Sequence, residues 1–457
     1  MISYLDGLRN AAGLTDTDRE RVDVLVNEYE RHLWRNELRN RYYDGHIKPK
    51  TLGISVPDNI NISVSCGWAA KAVDELARLS RFDSFVSSED ISQLDAVLKA
   101  NSFNSKLNKA KVSELKHGCA FGSVGKRHDG STYTNFHSAL TATAVWDSDM
   151  EHIAYGLVIS GYELEPDGCY RPSSVILHTD TDAVTIVRRG SSWFADYSQS
   201  RHVMGRPMME PLIFRPDNDK PLGHSRISQP VMDTIDLFLA ESVRVAISSE
   251  FFSVPQRYML GVSDEQYDAL VDNKWKAYIG AILLATSDPE TGEKPSVGQF
   301  PQMSMDPHLT YMRALAEQFS QVTNIPVAYL GISHDNPESA EAMQTAKEPL
   351  IAEAESLNAG NATSLLNIAA MALAVERGVP FDDVDMSKVD VHYANPATIS
   401  ISSSADAAVK IVSADPSFAG TDVFYEMLGF DHATIQRINE QKRRTAGVQF
   451  LSELMND

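Results

Sequence analysis

The chain has 457 residues, 43% hydrophobic and 23% charged, so it has the length of about three domains and the composition of a globular protein. Its formal charge of -21 argues against a protein that binds nucleic acid over its whole surface, although a local basic strip stays open. Cys66, Cys119 and Cys169 lack paired spacing, which argues against a zinc site or a disulfide framework and predicts buried free thiols in a reducing cytoplasm.

The sequence predicts neither export nor membrane insertion. The N-terminus begins MISYLD, without a basic patch followed by an apolar core, so we expect no secretory signal and a chain that is made and kept inside the cell. The longest apolar stretch, residues 365–375, is far shorter than the roughly 20 residues that span a bilayer.

The first part of the chain predicts helices. Thr17 and Glu20 have the spacing of a capping box, and the apolar residues after them recur at helical spacing up to residue 43. A second helix is predicted after Gly67. Residues 91–118 predict two more helices, after which the pattern changes to one typical of strands.

Residues 120–215 predict antiparallel strands and hairpins. Short runs such as residues 155–159 and 183–187 are rich in Val, Ile, Thr and Tyr. Four prolines then punctuate a connector that no continuous helix or central strand would tolerate, which predicts a boundary: Pro207, Pro211, Pro216 and Pro221.

The second half again predicts helices. Residues 228–251 carry an apolar stripe at helical spacing and are followed by Pro255. A polar segment, residues 287–307, separates this helix from a helix over residues 308–323. Further helices are predicted over residues 339–375, 405–412 and 433–453, with a strand-like piece after residue 384.

No motif carries a recognisable active site. Residues 118–126 superficially resemble a phosphate loop, but the glycine spacing is wrong and Lys126 is followed by Arg127, so a tight turn in a strand region is the better interpretation. Ser225 and Ser333 each begin a nucleophile elbow that lacks its closing glycine, and we predict that they cap a helix or a turn.

Charged clusters can be read in two ways. Five glutamates could be metal ligands or acid-base groups, but a solvated helix face is the better interpretation: Glu338, Glu341, Glu348, Glu353 and Glu355. A basic run could touch nucleic acid or an acidic partner, or could complement the helix dipole: Arg437, Lys442, Arg443 and Arg444. The histidines form no His-x-x-x-His pair, so we predict no metal and no cofactor.

Strings spread over nearly the whole chain carry a resemblance. The strongest are QFSQVTNIP (residues 318–326), YLGI (329–332) and NPESAEA (336–342), in which Pro326 pushes the preceding residue out of helical geometry and Ser339 stands where a helix can restart. Weaker strings occupy residues 41–46, 66–74, 104, 118–122, 251–258, 395–396, 405–410 and 428–430. In this order they resemble the portal proteins of tailed double-stranded DNA bacteriophages, especially long-tailed phages of Gram-positive and actinobacterial hosts.

The resemblance implies an α+β portal fold with wing, stem, clip and crown regions, in a ring of about twelve copies at one capsid vertex. It implies a virion protein, not an enzyme, that is assembled in the host cytoplasm and whose channel passes double-stranded DNA during packaging and ejection. The implied partners are further copies of the chain, the terminase large subunit, the head–tail adaptor, the major capsid protein and the scaffolding protein.

The same resemblance divides the chain into regions. These are an N-terminal wing (1–199), a connector bordering the clip (200–227), the stem helix and return to the wing (228–285), the tunnel loop and tunnel helix (286–325), wing and crown helices (326–383) and a C-terminal crown (384–457). The candidate DNA-facing residues of the tunnel loop are Lys294, Ser296, Gln299 and Gln302. The candidate stem-helix residues are Val231, Ile235, Phe238, Leu239 and Val243.

Two other functions stay open. Another head–tail connector or capsid-associated structural protein would share the charge and the missing active site. A cytoplasmic hydrolase using Ser225 or Ser333, or a nuclease using the carboxylates between Glu338 and Glu355, is the third. The order of the strings and the length of the chain favour the portal.

Overall fold

The structure of the chain is a computed structural model. It describes residues 5–49, 63–127, 129–253, 257–260, 296–299, 304–331, 339–397, 401–430 and 432–454.

The N-terminal helices lie where the sequence predicts them. They are α1 (Asp16–Tyr43), α2 (Trp68–Leu79), α3 (Ser92–Ala100) and α4 (Phe103–His117), preceded by a 3₁₀ turn at Leu8–Asn10. The predicted capping box at Thr17 is wrong. Thr15 is the N-cap, because its backbone is extended and its hydroxyl accepts a hydrogen bond from the Asp18 amide at 3.2 Å.

The segment that resembles a phosphate loop is a helix end followed by a strand. Gly118 ends α4 with a φ of 105°, a left-handed conformation that favours glycine. Strand β2 (Cys119–Lys126) follows at once and is buried along most of its length. The tight turn predicted in this segment is confined to Gly118, and no loop is present that could surround a phosphate.

Two antiparallel sheets form the strand-rich part, as predicted. Strands β2, β3 (Thr132–Ser138) and β9 (Met209–Ile213) form a sheet in the order β3-β2-β9. A second sheet runs in chain order through β4 (Ala142–Asp147), β5 (His152–Leu164), β6 (Tyr170–His178), β7 (Ala183–Arg189) and β8 (Ser192–Asp196).

Strand β9 lies where the predicted strand-rich stretch, residues 120–215, overlaps the proline-punctuated connector. Pro211 lies within β9, opposite Phe121 of β2. This proline is tolerated because β9 is an edge strand of its sheet, so its missing N–H is not needed by a second neighbour.

The second half is mostly helical. Helix α5 (Gln229–Ser253) is followed by β10 (Arg257–Leu260) and β11 (Ser296–Gln299), then α6 (Asp306–Thr323), α7 (Ala340–Thr345) and α8 (Glu348–Arg377). Strand β12 (Val389–Tyr393) pairs with β1 (Phe82–Ser87), and α9 (Ile401–Ala414), α10 (Asp422–Met427) and α11 (His432–Leu454) complete the described chain. Short 3₁₀ turns lie at Val327–Leu330, Phe381–Asp383 and Pro416–Phe418. Ser339 caps α7 as predicted, whereas α10 was not predicted and Pro255 lies outside the described residues.

Helix α8 runs through two of the hydrophobic cores. Its first half packs with α2, α5 and α6 through Leu350, Ala354 and Leu357. Its second half, residues 365–375, packs with β1, α3, α4 and β12. Residues distant in the sequence therefore share each core, and the regional boundaries drawn from the resemblance remain predictions.

The cysteines follow the prediction only in part. Cys66 and Cys119 are buried, and burial raises the pKa of the Cys66 thiol to about 11. Cys169 is exposed instead, because it lies in the turn between β5 and β6. No helix among the described residues combines the length and the apolar character that a membrane crossing needs.

Two histidines lie deep in the fold, His117 at the end of α4 and His178 at the end of β6. Burial, helped by neighbouring cationic or imidazole groups, lowers the pKa of each to about 3. Both imidazoles are therefore neutral in the folded protein near neutral pH.

These histidines predict acid sensitivity. Below about pH 6.5 the two histidines are protonated in the unfolded chain but stay neutral in the folded chain. The free energy of unfolding therefore decreases as pH falls from about 6.5 towards the folded pKa values. At pH 5 we expect each histidine to lower the free energy of unfolding by about 2 kcal/mol relative to pH 7. Urea denaturation at the two pH values measures the loss. His178→Gln should reduce this pH dependence, whereas substitution of the exposed His46 by Gln should leave it unchanged; equal pH dependence in all three proteins would contradict the assignment.

Candidate functional site

Helices α5 and α6 form an antiparallel pair. Residues 231–239 of α5 share a core with residues 316–325 at the far end of α6 and just beyond it. Further along α5, Glu241 and Ser248 contact His308 at the start of α6. The two helices therefore run past each other in opposite directions, and the chain leaves and re-enters the pair at the same end.

Trp68, the first residue of α2, packs against both helices of this pair, and we call this contact the Trp68 wedge. Its ring lies 4.1 Å from Phe238 of α5 and 5.1 Å from Phe319 of α6, measured between ring centroids. Offset and tilted aromatic contacts of this kind add to the free energy gained by burying the rings. Gly67 is the N-cap of α2 and immediately precedes the tryptophan, so the string at residues 66–74 places this ring.

The predicted stem stripe lies on α5 as one face. Val231, Ile235 and Leu239 are buried in the shared core, and Phe238 packs against it while partly exposed. Val243 is half-buried. Their role as a stem remains a prediction.

A buried ion pair joins four segments beside the start of α5. The Arg226 guanidinium donates to the Glu353 carboxylate of α8, to the Ala72 carbonyl of α2 at 2.6 Å and to the Thr323 carbonyl of α6 at 2.6 Å. The Arg226 side chain is only 2% exposed and that of Glu353 only 6%. Burial lowers the pKa of Arg226, and the attraction to Glu353 opposes this shift, so the charged form is kept by its partner.

Two further side chains donate hydrogen bonds to the Glu353 carboxylate. Arg215 donates to Oε1 at 2.7 Å and Asn324 to Oε2 at 3.3 Å. The prediction that Glu353 lies on a solvated helix face is therefore wrong, because the residue faces the connector before α5. Glu348 and Glu355 are exposed as predicted, and Glu338 and the side chain of Glu341 lie outside what is described.

A second polar clamp joins α5 and α6 near their other end. Glu241 accepts hydrogen bonds from His308 at 2.6 Å and from Arg244 at 2.9 Å. Burial raises the pKa of Glu241, but these two hydrogen bonds outweigh it and the net shift is downward. The carboxylate is thus held ionised between the two helices.

Strands β10 and β11 pair beyond the ends of α5 and α6. Ser296 lies opposite Leu260, and Gln299 lies opposite Arg257. Two of the four candidate tunnel-loop residues are therefore on one strand of an antiparallel ladder, with Ser296 exposed. Lys294 and Gln302 lie outside the described residues, and the DNA-facing role of the four stays a prediction.

The described residues give no support to the catalytic alternatives. The Ser225 hydroxyl is buried and donates to the Lys116 carbonyl at 2.6 Å, which holds the connector rather than a substrate. Ser333 lies outside the described residues. Within the described part of the chain no three His, Cys, Asp or Glu side chains are grouped so that they could hold a metal ion.

Comparison with known proteins gives this architecture a family. Residues 22–446 match the family described as "Phage portal protein, SPP1 Gp6-like". The chain belongs to this phage portal family. It is therefore a structural protein of the bacteriophage virion, and the family resemblance of the strings is confirmed.

Two portal proteins are similar over most of their length. The portal protein of Mycobacterium phage L5 is 23% identical over 396 residues, which are 81% of this chain and 77% of the relative. That of Mycobacterium phage D29 is 23% identical over 415 residues, 85% of this chain and 81% of the relative.

Solved structures show a weaker likeness. Chains from structures titled "Virion of native gene transfer agent (GTA) particle" and "Neck of native GTA particle computed with C12 symmetry" each share 13% identity, with TM-scores of 0.44 and 0.45. Each comparison covers 79% of this chain and 89% of the other. The family assignment rests on the sequence match.

The sequence did not predict the buried ion pair of Arg226 and Glu353 in this portal-family chain. Arg215 and Arg226 carried no motif, and Glu353 was hidden among other glutamates. One signal was available: Glu353 lies three residues after Leu350 and one before Ala354, and a helical residue among such neighbours belongs to the apolar face.

Removing one partner of the buried ion pair should destabilise the protein strongly. Glu353→Gln leaves the Arg226 charge buried without its counter-charge, and we expect a loss of about 3–5 kcal/mol in the free energy of unfolding. Glu355→Gln is the matched control, because the same change is made at an exposed position on the same helix. Urea denaturation would compare them; equal stabilities would show that the pair is not the anchor.

Proposed function

We propose that the chain assembles as a closed ring of about twelve copies at one vertex of a phage capsid, and that this ring is the channel through which double-stranded DNA is packaged and ejected. The family match over residues 22–446 carries the proposal. A cyclic ring needs two different faces on each subunit but no catalytic pocket, which agrees with the use of Ser225 and Glu353 in holding the fold.

The portal ring also has to meet several partners. In this proposal it docks the terminase large subunit during packaging and a head–tail adaptor afterwards, and it contacts the major capsid protein and the scaffolding protein. The energy for packaging comes from a separate ATPase, since residues 118–126 form a helix end and a strand rather than a phosphate loop.

The acidic balance of the chain suits a channel that DNA must slide through. Duplex DNA carries about one negative charge per 1.7 Å, and every Lys or Arg that contacts it adds affinity by releasing counterions. A chain with 62 acidic against 41 basic residues would on balance repel the DNA backbone rather than hold it. The proposed DNA-facing residues are one cation and three uncharged polar residues: Lys294, Ser296, Gln299 and Gln302.

The rigid part of the channel wall would come from α5 and α6. The buried residues Val231, Ile235 and Leu239, the Trp68 wedge and the Glu241 clamp hold the two helices as one unit. The β10–β11 ladder extends this unit at the end where the chain leaves α5 and enters α6. A stiff pair with an extension at one end is what a wall that transmits force to docked partners requires.

The purified full chain should form closed rings. Particle imaging is expected to show rings near twelve copies with a central hole wide enough for duplex DNA, about 20 Å across, and mass photometry should give the matching mass. Monomers or dimers at every concentration and salt tested would contradict the proposal.

Arginines added at β11 should make the channel grip DNA. Ser296→Arg with Gln299→Arg adds two positive charges per copy, so rings should bind linear duplex DNA more tightly, with a steep loss of affinity as salt rises. Ser191→Arg with Gln199→Arg makes the same change at exposed positions of the second sheet region. Equal DNA binding by the two double variants would remove β11 from the proposed channel lining.

A further inference from the structure

A basic pocket opens on one side of α1. It has a volume of about 570 Å³ and is lined by Arg31, Arg35, Arg39 and His117, with an apolar wall that includes Val145 and Trp146. Four Lys or Arg line it (Arg31, Arg35, Arg39, Lys220) against two acids (Glu28, Asp219). A positive concave surface is unexpected on a chain whose formal charge is -21.

The polar groups of the basic pocket are incompletely satisfied. His117 is only 6% exposed, and neither of its ring nitrogens has a hydrogen-bond partner among the described residues; the same holds for the buried Nε of Arg39. Burial and the nearby Arg35 lower the pKa of Arg39 to about 10. Buried polar groups left without partners destabilise a protein. Beside them Arg35 is exposed, and its guanidinium is the group that an incoming carboxylate can reach.

A two-stranded arm projects from the second sheet. Strand β4 pairs with β5 only as far as Val158, and β7 pairs with β6 only from Ser174 onwards. Beyond these points β5 and β6 pair only with each other, over residues 162–164 and 170–172. A two-stranded ribbon is marginally stable by itself, and this one is held by the ion pair of Glu165 with Arg188 of β7 and by its position beside α1.

The tip of the arm is both apolar and acidic. Leu164 is 56% exposed and Tyr170 67% exposed, although large apolar side chains are usually covered. Of the carboxylates at the tip, Glu165 pairs with Arg188 of β7 and Asp167 with Arg171, whereas the exposed Glu163 has no ion pair among the described residues. The tip therefore has the charge and the apolar surface that complement the basic pocket.

The arm and the basic pocket lie on different sides of α1, and Tyr29 lines both the pocket and the groove beside the arm. Leu33 and Glu37 line a groove shared with Tyr170 of the arm, whereas Arg31 and Arg35 line the basic pocket. At 3.6 residues per turn the two sets are separated by about 160° around the helix. A head-to-tail interface that closes into a ring needs two different complementary surfaces on one subunit, and the arm tip and the basic pocket are two such surfaces.

We propose that the tip of the β5–β6 arm of one copy docks into the basic pocket of the next copy, with Glu163 facing Arg35 and with Leu164 and Tyr170 against the apolar wall. The inference rests on the proposed ring and names one of its subunit contacts. A second copy is favoured over DNA as the occupant, because DNA would not use the apolar wall, whereas the arm supplies both apolar and acidic groups.

The native Cys169 gives a direct test. It is the exposed cysteine of the chain and lies at the arm tip, whereas Cys66 and Cys119 are buried. In the full chain carrying Arg35→Cys, diamide should oxidise the two thiols to an intermolecular disulfide and produce a ladder of covalent oligomers on non-reducing gels. Adding Cys169→Ser should abolish the ladder. Arg19→Cys is the matched control, an exposed position on α1 about 24 Å along the helix from residue 35, and should give none.

Charge reversal gives an independent readout. Arg35→Glu should reduce the fraction of protein in rings by roughly tenfold or more, and Glu163→Arg added to it should restore them, because the charges again oppose each other. Rings that persist in Arg35→Glu, together with no ladder in Arg35→Cys, would overturn this interface and leave the proposed function standing. Absence of rings and ladder from every protein, wild type included, would overturn both. Duplex DNA binding by wild type that Arg35→Glu abolishes, without a ladder in Arg35→Cys, would assign the pocket to nucleic acid instead.

Discussion

The buried pair of Arg226 and Glu353 is the constraint on which the arrangement of the helices depends. Moving two charges out of water is costly, and the cost is offset only if every charged atom finds a partner. Arg226 finds its partners on α2, α6 and α8, so these elements can take only the relative positions that bring two carbonyls and one carboxylate around one guanidinium. Because Arg226 stands three residues before α5, the same bonds set where the helix pair begins.

Helix α8 extends this constraint to the rest of the chain. Further along α8, Asn358 accepts a hydrogen bond from Ser80 at 2.5 Å, and Asn361 donates one to the buried Glu114 of α4 at 2.8 Å. Burial raises the pKa of Glu114 to about 7, and burial lowers the pKa of Lys111, one turn away, to about 8. A row of polar contacts thus runs beside the apolar face of α8 and specifies its register, which apolar packing alone would leave less defined.

The same features explain why a chain with so many candidate catalytic residues is a structural protein. Ser225 and Glu353 each belong to contacts between elements and have no open space around their reactive atoms. Among the described residues, the remaining surfaces include an antiparallel helix pair with a strand ladder at one end, and a pocket and an arm on different sides of α1. In a ring, each of these is repeated by symmetry, so modest contacts gain strength by repetition.

The sequence by itself determined the local elements and the family. Helical spacing predicted α5 and α6 to within two residues at each start, alternation predicted the hairpins, and the ordered strings around Trp68 and Pro326 were enough to recognise a portal, because these signals depend on neighbours within a few turns. Only the tertiary structure decided that Thr15 rather than Thr17 caps α1, that Pro211 lies on an edge strand, and that Glu353 is buried. Pro211 and Glu353 depend on partners far away in the chain, Phe121 for Pro211 and Arg226 for Glu353 at a separation of 127 residues, and no local pattern encodes which distant residue will lie opposite. The Thr15 cap itself is a local bond from the Asp18 amide, but the Tyr197 hydroxyl holds both residues, since it accepts from the Thr15 amide and donates to Asp18.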